Sequence, residues 1–256
     1  MSRQRGTFLD TIKSIFLWIV MVLITAFILI VASPFIAFKI SNIVHKFAIL
    51  WGKGLAHVSG IHITVENKEK IHRDGPVIVV SNHQSLFDIL VFYSFLDIQF
   101  RWMAKASLFK IPFFGWGMSG AGYIPVERGE KKKAQKSLFA AAERIKKGAS
   151  VIIFPEGTRG HVDGTMLPFK RGGFILAKKA EVVLQPVTIW GANQIVPIQK
   201  NAWIQRLYSG RVYVVVHDPI FPEEYRDMPP DELSDKLRAI LERPMDRLRA
   251  VYNTLK

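Results

Sequence analysis

The sequence predicts an α/β fold, with a mixed central sheet covered by helices and preceded by an N-terminal membrane-embedded helical segment. Two observations carry this prediction. After Gly60, short β-rich runs alternate with helical stretches, a pattern typical of a sheet covered by helices. Before Gly60, the run from Ile15 to Phe38 is almost wholly apolar. We therefore divide the chain into a membrane-associated helical segment, residues 1–58, and an α/β domain, residues 59–256.

The N-terminal apolar run has no charged residue between Lys13 and Lys39, and about 20 such residues suffice to cross a bilayer. A secretory signal is disfavoured because its apolar region is roughly 7–15 residues long. A buried core helix would carry a polar stripe, which this run lacks. Basic residues flank both ends, so charge leaves the orientation open. Pro34 allows a bend before an amphipathic helix from about Ile40 to Val58. The segment either spans the bilayer or enters one leaflet as a helical pair.

The elements of the α/β domain follow from local patterns. Strands are predicted where β-branched and apolar residues cluster between turn signals, at Ile61–Val65, Val77–Val80, Val151–Phe154, Val182–Trp190 and Val212–His217. Helices are predicted where apolar residues recur at helical spacing, at Leu86–Phe95, Lys133–Lys147 and Asp231–Leu248. Gly148 ends the second helix, and Pro244 can break the third. The stretch Trp102–Phe109 fits either a strand or the start of a helix.

Charge and composition restrict the function. The chain carries 35 Lys and Arg against 21 acidic residues, a net charge of +14, which indicates an anionic partner. Nucleic acid is disfavoured because no recognition motif is present and the N-terminus is apolar. Anionic membrane lipids are therefore the expected partner. The absence of cysteine excludes disulfides, thiolate nucleophiles and cysteine-based zinc sites, and the seven histidines show no metal-ligand spacing.

His83 and Asp88 come just after the predicted strand Val77–Val80, where ligands bind in open α/β sheets. Residues five apart on one helix are about 140° out of phase, so they cannot touch. A His83–Asp88 pair therefore requires His83 to lie before the helix or in its first turn, with Ser81 or Asn82 suited to cap that helix. Such a pair suits removal of a proton from a hydroxyl. The spacing alone also fits a histidine that merely packs or caps.

Four motifs decide between these interpretations. Asn82-His83-Gln84-Ser85-x-x-Asp88 resembles the first motif of the glycerolipid acyltransferases typified by 1-acyl-glycerol-3-phosphate acyltransferase. The second, third and fourth motifs of that family are similar to Gly122–Arg128, Phe154–Arg159 and Leu184–Val187. The four occur in family order. Two departures are present: Pro125-Val126-Glu127 stands where the commonest form has Phe-Ile-Asp, and Gly160 where Ser is frequent.

The resemblance implies roles for particular residues. His83 is the implied general base, held by Asp88. Residues that the resemblance implies for acceptor binding, mostly to its phosphate, are Lys105, Arg128, Glu156, Gly157, Thr158 and Arg159. The segment Pro168–Gly172 supplies further candidate cations. The implied reaction needs no metal or bound cofactor, since an acyl thioester of coenzyme A or of acyl carrier protein is the co-substrate.

The implied function is transfer of a fatty acyl group to lysophosphatidic acid, giving phosphatidic acid. Glycerol 3-phosphate, another lyso-phospholipid and lyso-ornithine lipid stay open as acceptors. A serine hydrolase is disfavoured because Gly117-Met-Ser119-Gly-Ala121 lacks the last glycine of the nucleophile elbow. A non-catalytic basic protein that binds membrane surfaces would need neither His83 nor Asp88. Both thioester donors are cytosolic, so we expect a protein of the cell membrane, the inner membrane in a bacterium, whose active site faces the cytoplasm.

Overall fold

The computed structural model describes residues 7–127, 131–161, 163–197 and 205–254. The strands in these ranges are β1 (Ile61–Glu66), β2 (Val77–Ser81), β3 (Phe100–Lys105), β4 (Ile124–Val126), β5 (Ser150–Ile153), β6 (Val183–Trp190) and β7 (Gly210–Val216). The helices are α1 (Phe8–Ala37), α2 (Ser41–Val58), α3 (Asp88–Phe95), α4 (Phe114–Gly120), α5 (Lys131–Lys146), α6 (Gly172–Ala180), α7 (Pro230–Glu242) and α8 (Met245–Thr254).

The strands form one sheet in the order β1-β7-β6-β2-β5-β3-β4. All neighbouring pairs are parallel except β6 and β7, which are antiparallel. The prediction of a mixed sheet is therefore confirmed. Every residue of β2 is buried, because this strand lies in the middle of the sheet with neighbours on both sides and helices on both faces.

Helices cover the two faces of the sheet in two sets. Val77 and Val79 of β2 pack with residues of α1 to α4, whereas Ile78 and Val80 pack with residues of α5 to α8. This division follows from the strand geometry, since successive side chains point to opposite faces. The N-terminal helices thus share a hydrophobic core with the sheet.

The predicted strands all occur within two residues of their expected bounds, and the ambiguous stretch after residue 100 is the strand β3 followed by a 3₁₀ turn, Ala106–Lys110. The C-terminal helix is broken between α7 and α8, around Pro244. The sequence patterns missed β4, α4 and α6. β4 has three residues, one of them proline, and α4 and α6 each contain more than one glycine, so none shows a clear period.

The N-terminal segment is a helical pair. α1 continues past Pro34 to Ala37, so the chain reverses at the next residues, where Lys39 has a φ of 55°, and not at the proline. α1 has a mean hydropathy of 3.1 over its most apolar window, of which 17% is buried, and by length and composition it could cross a membrane.

α1 is attached to the α/β domain in both its halves. Near its start, the indole Nε1 of Trp18 donates to the carbonyl of Gln205 (2.7 Å), and the Oγ of Ser14 accepts from the amide of Leu207 (2.9 Å). Near its end, α4 approaches so closely that a Cβ added to Gly117 would lie 2.6 Å from the side chain of Leu29. The helix therefore lies along the domain.

Candidate active site

The end of β2 is fixed to the neighbouring strand β6 by Asn82. Its side-chain Nδ2 donates to the carbonyl of Ile189 (2.9 Å), and its Oδ1 accepts from the amide of the same residue (2.8 Å). The expectation that Ser81 or Asn82 caps the next helix is wrong. α3 begins at Asp88, with Phe87 before it and no side-chain cap, and Ser81 donates to the carbonyl of Asn82. Five residues separate Asn82 from the helix, which is too far for a cap.

His83 and Asp88 form a hydrogen-bonded pair. The Nδ1 of His83 lies 2.7 Å from the Oδ2 of Asp88, whose side chain is fully buried. The same oxygen accepts from the amides of Gln84 (2.7 Å) and Ser85 (3.0 Å). His83 precedes α3 and Asp88 is its first residue, as the five-residue spacing required. Because the carboxylate binds Nδ1–H, the other imidazole nitrogen, Nε2, is left as the base.

The imidazole of His83 is held by the carboxylate of Asp88 and by the ring of Phe154. Its ring stacks on Phe154, with 4.2 Å between centroids and 14° between the planes. Its side chain is 18% exposed, so the ring is mostly desolvated but accessible from one side. A base in such a position can meet a substrate hydroxyl without rotating.

Glu156 holds the main chain of His83 in place. Its Oε1 accepts from the amide of His83 (2.7 Å), and its Oε2 accepts from the amide of Leu167 (2.8 Å). The side chain is 2% exposed, and burial raises the pKa of the carboxyl. The amide of Gly160 in turn donates to the carbonyl of His83 (2.7 Å). Both oxygens of Glu156 therefore contact the protein itself, and the structure gives this residue a positioning contact rather than a free face toward an acceptor.

Gly157 makes room for the ammonium group of Lys170. Its φ is 70°, and a Cβ added there would lie 2.9 Å from the Lys170 Nζ. Lys170 is also fixed through its amide, which donates to the carbonyl of Pro155 (2.8 Å). A larger residue at position 157 would be strained and would displace this cation. The segment Pro168–Gly172 thus brings a charge to the loop that follows β5.

The remaining candidates for phosphate contact occupy different surroundings. Arg159 is half-buried, and its Nη1 is buried without a hydrogen-bond partner in the part of the chain that the structure describes. Thr158 and Lys105 are exposed, the latter at the end of β3. Arg128 lies outside the described residues. A buried guanidinium nitrogen without a partner is costly, so Arg159 is the member of this set with a physical need for an anion.

An apolar cavity of about 280 Å³ opens beside His83. It extends between the N-terminal helices and α4, with Lys105 on its rim. Its walls are formed mainly by Thr25, Ile28, Leu29, Ala32, Ile36, Phe47, Ala48, Trp51, Leu86, Ile89, Tyr93, Phe114, Met118, Tyr123 and Phe154. The sequence patterns did not reveal this cavity, because its walls come from four separate helices, from β3 and from loops.

A buried polar network lies along one wall of the cavity. The Oη of Tyr123 is hydrogen-bonded to the Nδ1 of His45 (3.2 Å) and to the Oη of Tyr93. His45 is fully buried. Burial, and then the nearby cation of Arg101, lower the pKa of His45 to about 3. The histidine is therefore neutral in the folded protein at neutral pH.

The stability of the protein should fall as the pH decreases below about 6.5, because His45 is neutral when folded but takes up a proton when exposed by unfolding. The free energy of unfolding should fall by up to about 1.4 kcal/mol for each pH unit, and the fall should end near the folded pKa of about 3. His217 adds to it, since burial lowers its pKa to about 4. Unfolding midpoints measured between pH 7.5 and 4.5 should show a smaller slope in His45→Gln. His57→Gln, at an exposed position of the same helix, is the control and should keep the slope of the unmodified protein. A slope in His45→Gln equal to that of the unmodified protein would show that His45 does not cause the pH dependence.

A family model described as Acyltransferase matches residues 62–190, from β1 to the end of β6. The match contains His83, Asp88 and the loop around Glu156. The structure is similar to the crystal structure of the 1-acyl-sn-glycerophosphate (LPA) acyltransferase PlsC from Thermotoga maritima, with a TM-score of 0.78. The two sequences are 29% identical, and the superposition covers 94% of this chain and 98% of that one.

Two curated relatives are similar in sequence. A chloroplastic 1-acyl-sn-glycerol-3-phosphate acyltransferase of Arabidopsis thaliana is 34% identical over 86% of this chain and 60% of its own length. The 1-acyl-sn-glycerol-3-phosphate acyltransferase of Helicobacter pylori is 32% identical over 69% of this chain and 73% of its own. The chain spans about half the length of several other curated relatives that it matches. The region that the family model matches covers half of the chain and includes the loops that follow β2 and β5, which contain His83 and Glu156. The chain therefore belongs to the acyltransferase family.

Proposed function

We propose that the protein transfers an acyl group from a thioester to the free hydroxyl of lysophosphatidic acid, giving phosphatidic acid. The observation that carries this proposal is the His83–Asp88 pair, whose imidazole lines an apolar cavity. In the loop after β5, the buried Nη1 of Arg159 has no hydrogen-bond partner among the described residues. A base, a place for an alkyl chain and a cation for a phosphate are the three features that this reaction requires. The names of the relatives support the same acceptor.

The reaction proceeds in one active-site complex without an acyl-enzyme. Nε2 of His83 takes the proton of the acceptor hydroxyl while the hydroxyl oxygen attacks the thioester carbonyl carbon. Asp88 stabilises the imidazolium that forms, since its carboxylate stays hydrogen-bonded to Nδ1. When the tetrahedral intermediate collapses, the carbon–sulfur bond breaks and the imidazolium returns the proton to the leaving thiolate. The proton balance is closed on His83, so the step needs no metal or bound cofactor.

The acceptor phosphate is bound by cations around the loop that follows β5. Arg159 offers a planar guanidinium that suits a phosphate. Lys170, next to Gly157, and Lys105, on the lining of the cavity, add positive charge. Thr158 and Gly157 present a hydroxyl and a closely approachable main chain in the same loop. Arg128, which the resemblance places here, is a further contact. Glu156 acts through His83 by holding its amide.

An acyl chain occupies the cavity between the N-terminal helices and α4. Its lining is apolar along most of its length, so burying an alkyl chain there is favourable by about 0.8 kcal/mol per methylene. Because His83 is one of the residues that line the cavity, a chain bound there can bring its carbonyl to the base. The cavity supports a long-chain thioester as the donor.

Ala48→Phe should reduce the use of long acyl chains more than short ones. Ala48 lines the cavity, and a phenyl ring there fills space that a long chain needs. Overpacking typically costs 1–3 kcal/mol, so kcat/KM for a sixteen-carbon donor should fall about tenfold relative to a six-carbon donor. Ala239→Phe, on an exposed position of α7, is the control. An equal loss for both donors would place the chain elsewhere.

The N-terminal helical pair lies in one leaflet. α1 is bound to the α/β domain near Ser14 and Trp18 and again near Leu29, positions that span more than 15 Å at 1.5 Å per residue. A helix crossing the bilayer along its normal would carry these domain contacts into the hydrocarbon core. Its outward face is apolar, as a helix in the membrane interface requires. The thioester donors place the active site on the cytoplasmic side, next to anionic lipids.

Acyl transfer by the purified chain tests the proposed function. The assay compares lysophosphatidic acid with glycerol 3-phosphate, other lyso-phospholipids and lyso-ornithine lipid, each with acyl-coenzyme A and with acylated carrier protein. We expect the highest kcat/KM with lysophosphatidic acid. A preference of tenfold or more for another acceptor, about 1.4 kcal/mol, would replace the proposed substrate. No transfer with any acceptor would reject the activity.

A further inference from the structure

A second apolar surface, separate from the outward face of α1, follows β3 at the catalytic edge of the sheet. Four large apolar side chains between residues 108 and 116 are exposed: Leu108 (38%), Ile111 (45%), Phe113 (64%) and Trp116 (59%). The rings of Phe113 and Trp116 lie 5.0 Å apart. Grouped apolar residues of this size are uncommon on surfaces that face only water.

The backbone holds this surface outward at a cost. Phe113 has a φ of 61°, which is rare for a bulky residue. The next turn is tight, since a Cβ added to Gly115 would lie 2.2 Å from the carbonyl oxygen of Phe109. Phe113 therefore has two unfavourable free-energy terms in water: its strained backbone and the exposure of its phenyl ring. An apolar environment around the ring removes one of these costs.

The surface lies beside α1, because it leads into α4, which packs on that helix. α4 packs on α1 through Gly117, opposite Leu29, and through Gly120, opposite Ile36. Outside this contact, α1 exposes Phe27 (64%) and Ile30 (71%). α4 therefore holds the segment 108–116 next to α1, so a bilayer that covers α1 lies close to this surface.

The charges beside the surface match a lipid headgroup layer. Lys105 precedes the 3₁₀ turn Ala106–Lys110 and Lys110 ends it, and both lysines are exposed. Tryptophan and lysine are typical of the membrane interface, where one end of the side chain is apolar and the other is wet. An anionic headgroup adds about 1 kcal/mol per basic residue near the surface.

We propose that the segment 108–116 inserts Phe113 and Trp116 into the same leaflet as α1 and is a second membrane contact, at the mouth of the acyl cavity. Leu108 and Phe114 of this segment line the cavity. Their position would let a lysolipid enter and a product leave directly between the bilayer and the site. This inference rests on the proposed placement of α1 in one leaflet.

Single labels on the full-length protein test the proposal. The chain has no cysteine, so one introduced cysteine is the only thiol that a polarity-sensitive fluorophore can modify. The variants are Phe113→Cys and Trp116→Cys in the segment, Phe27→Cys on α1, and Phe221→Cys, which is 42% exposed beside the start of β6 at the opposite edge of the sheet. Circular dichroism and transfer activity in detergent micelles establish that each labelled protein is folded. The proteins are then reconstituted into vesicles of phosphatidylcholine and phosphatidylglycerol.

The expected result is a blue shift of the emission at positions 113, 116 and 27, with loss of intensity when the lipids are brominated near the headgroup end of their chains. Position 221 should show neither. If labels at positions 113 and 116 show neither a blue shift nor quenching, while the label at position 27 is quenched, this inference alone is overturned. A label at 27 that is not quenched would reject the placement of α1 as well. A blue shift at 113 without quenching would indicate burial against a second copy of the chain and would also overturn the proposal.

Discussion

Replacement of His83 by alanine should lower kcat by roughly 10²–10⁴-fold, the usual contribution of a general base. The imidazole is the group whose Nε2 faces the cavity, because Nδ1 is held by the buried carboxylate of Asp88. Without it, the acceptor hydroxyl must lose its proton to water. KM for the acceptor should change little, since the phosphate contacts are untouched. Initial rates with purified protein, at saturating donor and acceptor, measure the effect.

The fold should survive this change. The contacts that position the His83 loop are made by its main chain, with Glu156 and Gly160, and by the side chain of Asn82. The thermal unfolding midpoint of His83→Ala should therefore stay near that of the unmodified protein. His62→Ala, an exposed histidine on β1 at the far edge of the sheet, is the matched control. Turnover within tenfold of normal in His83→Ala would reject its assignment as the base.

Replacement of Arg159 by alanine should raise KM for lysophosphatidic acid and lower kcat/KM roughly 10–150-fold. Its Nη1 is buried without a partner in the described ranges, and a charge-assisted hydrogen bond is worth about 1.5–3 kcal/mol. Arg159→Lys keeps the charge but loses the planar fork, so an intermediate loss is expected. Steady-state kinetics with varied acceptor concentration separate the two parameters.

An acceptor without a phosphate makes the test of Arg159 specific. The loss in Arg159→Ala should largely disappear with monoacylglycerol, because that acceptor has no anion for the guanidinium to bind. Arg171→Ala is the matched control: Arg171 is 72% exposed and already pairs with Asp231 of α7. Equal losses for the two acceptors would show that Arg159 supports the loop rather than the phosphate.

The His83 site shows how far local patterns reach. The five-residue spacing predicted that His83 lies outside the helix that Asp88 begins, and the structure agrees, because helical phase is a property of neighbouring residues. The role of Glu156 was beyond such reasoning. Its carboxylate contacts the amide of a residue 73 positions away, and only the pairing of β2 with β5 brings the two loops together. Nothing in the Phe154–Arg159 motif distinguishes a positioning carboxylate from a binding one.

Sequence patterns alone predicted the α/β class, two N-terminal helical stretches and the position of His83 relative to Asp88. Each of these depends on the period or spacing of residues along one stretch of chain, which local backbone geometry translates directly. Only three-dimensional packing shows that α1 lies along the domain and that an apolar cavity meets His83. The same holds for Arg159, one of whose buried nitrogens has no partner within the described residues. These features arise between segments distant in sequence, where packing in three dimensions sets the distances.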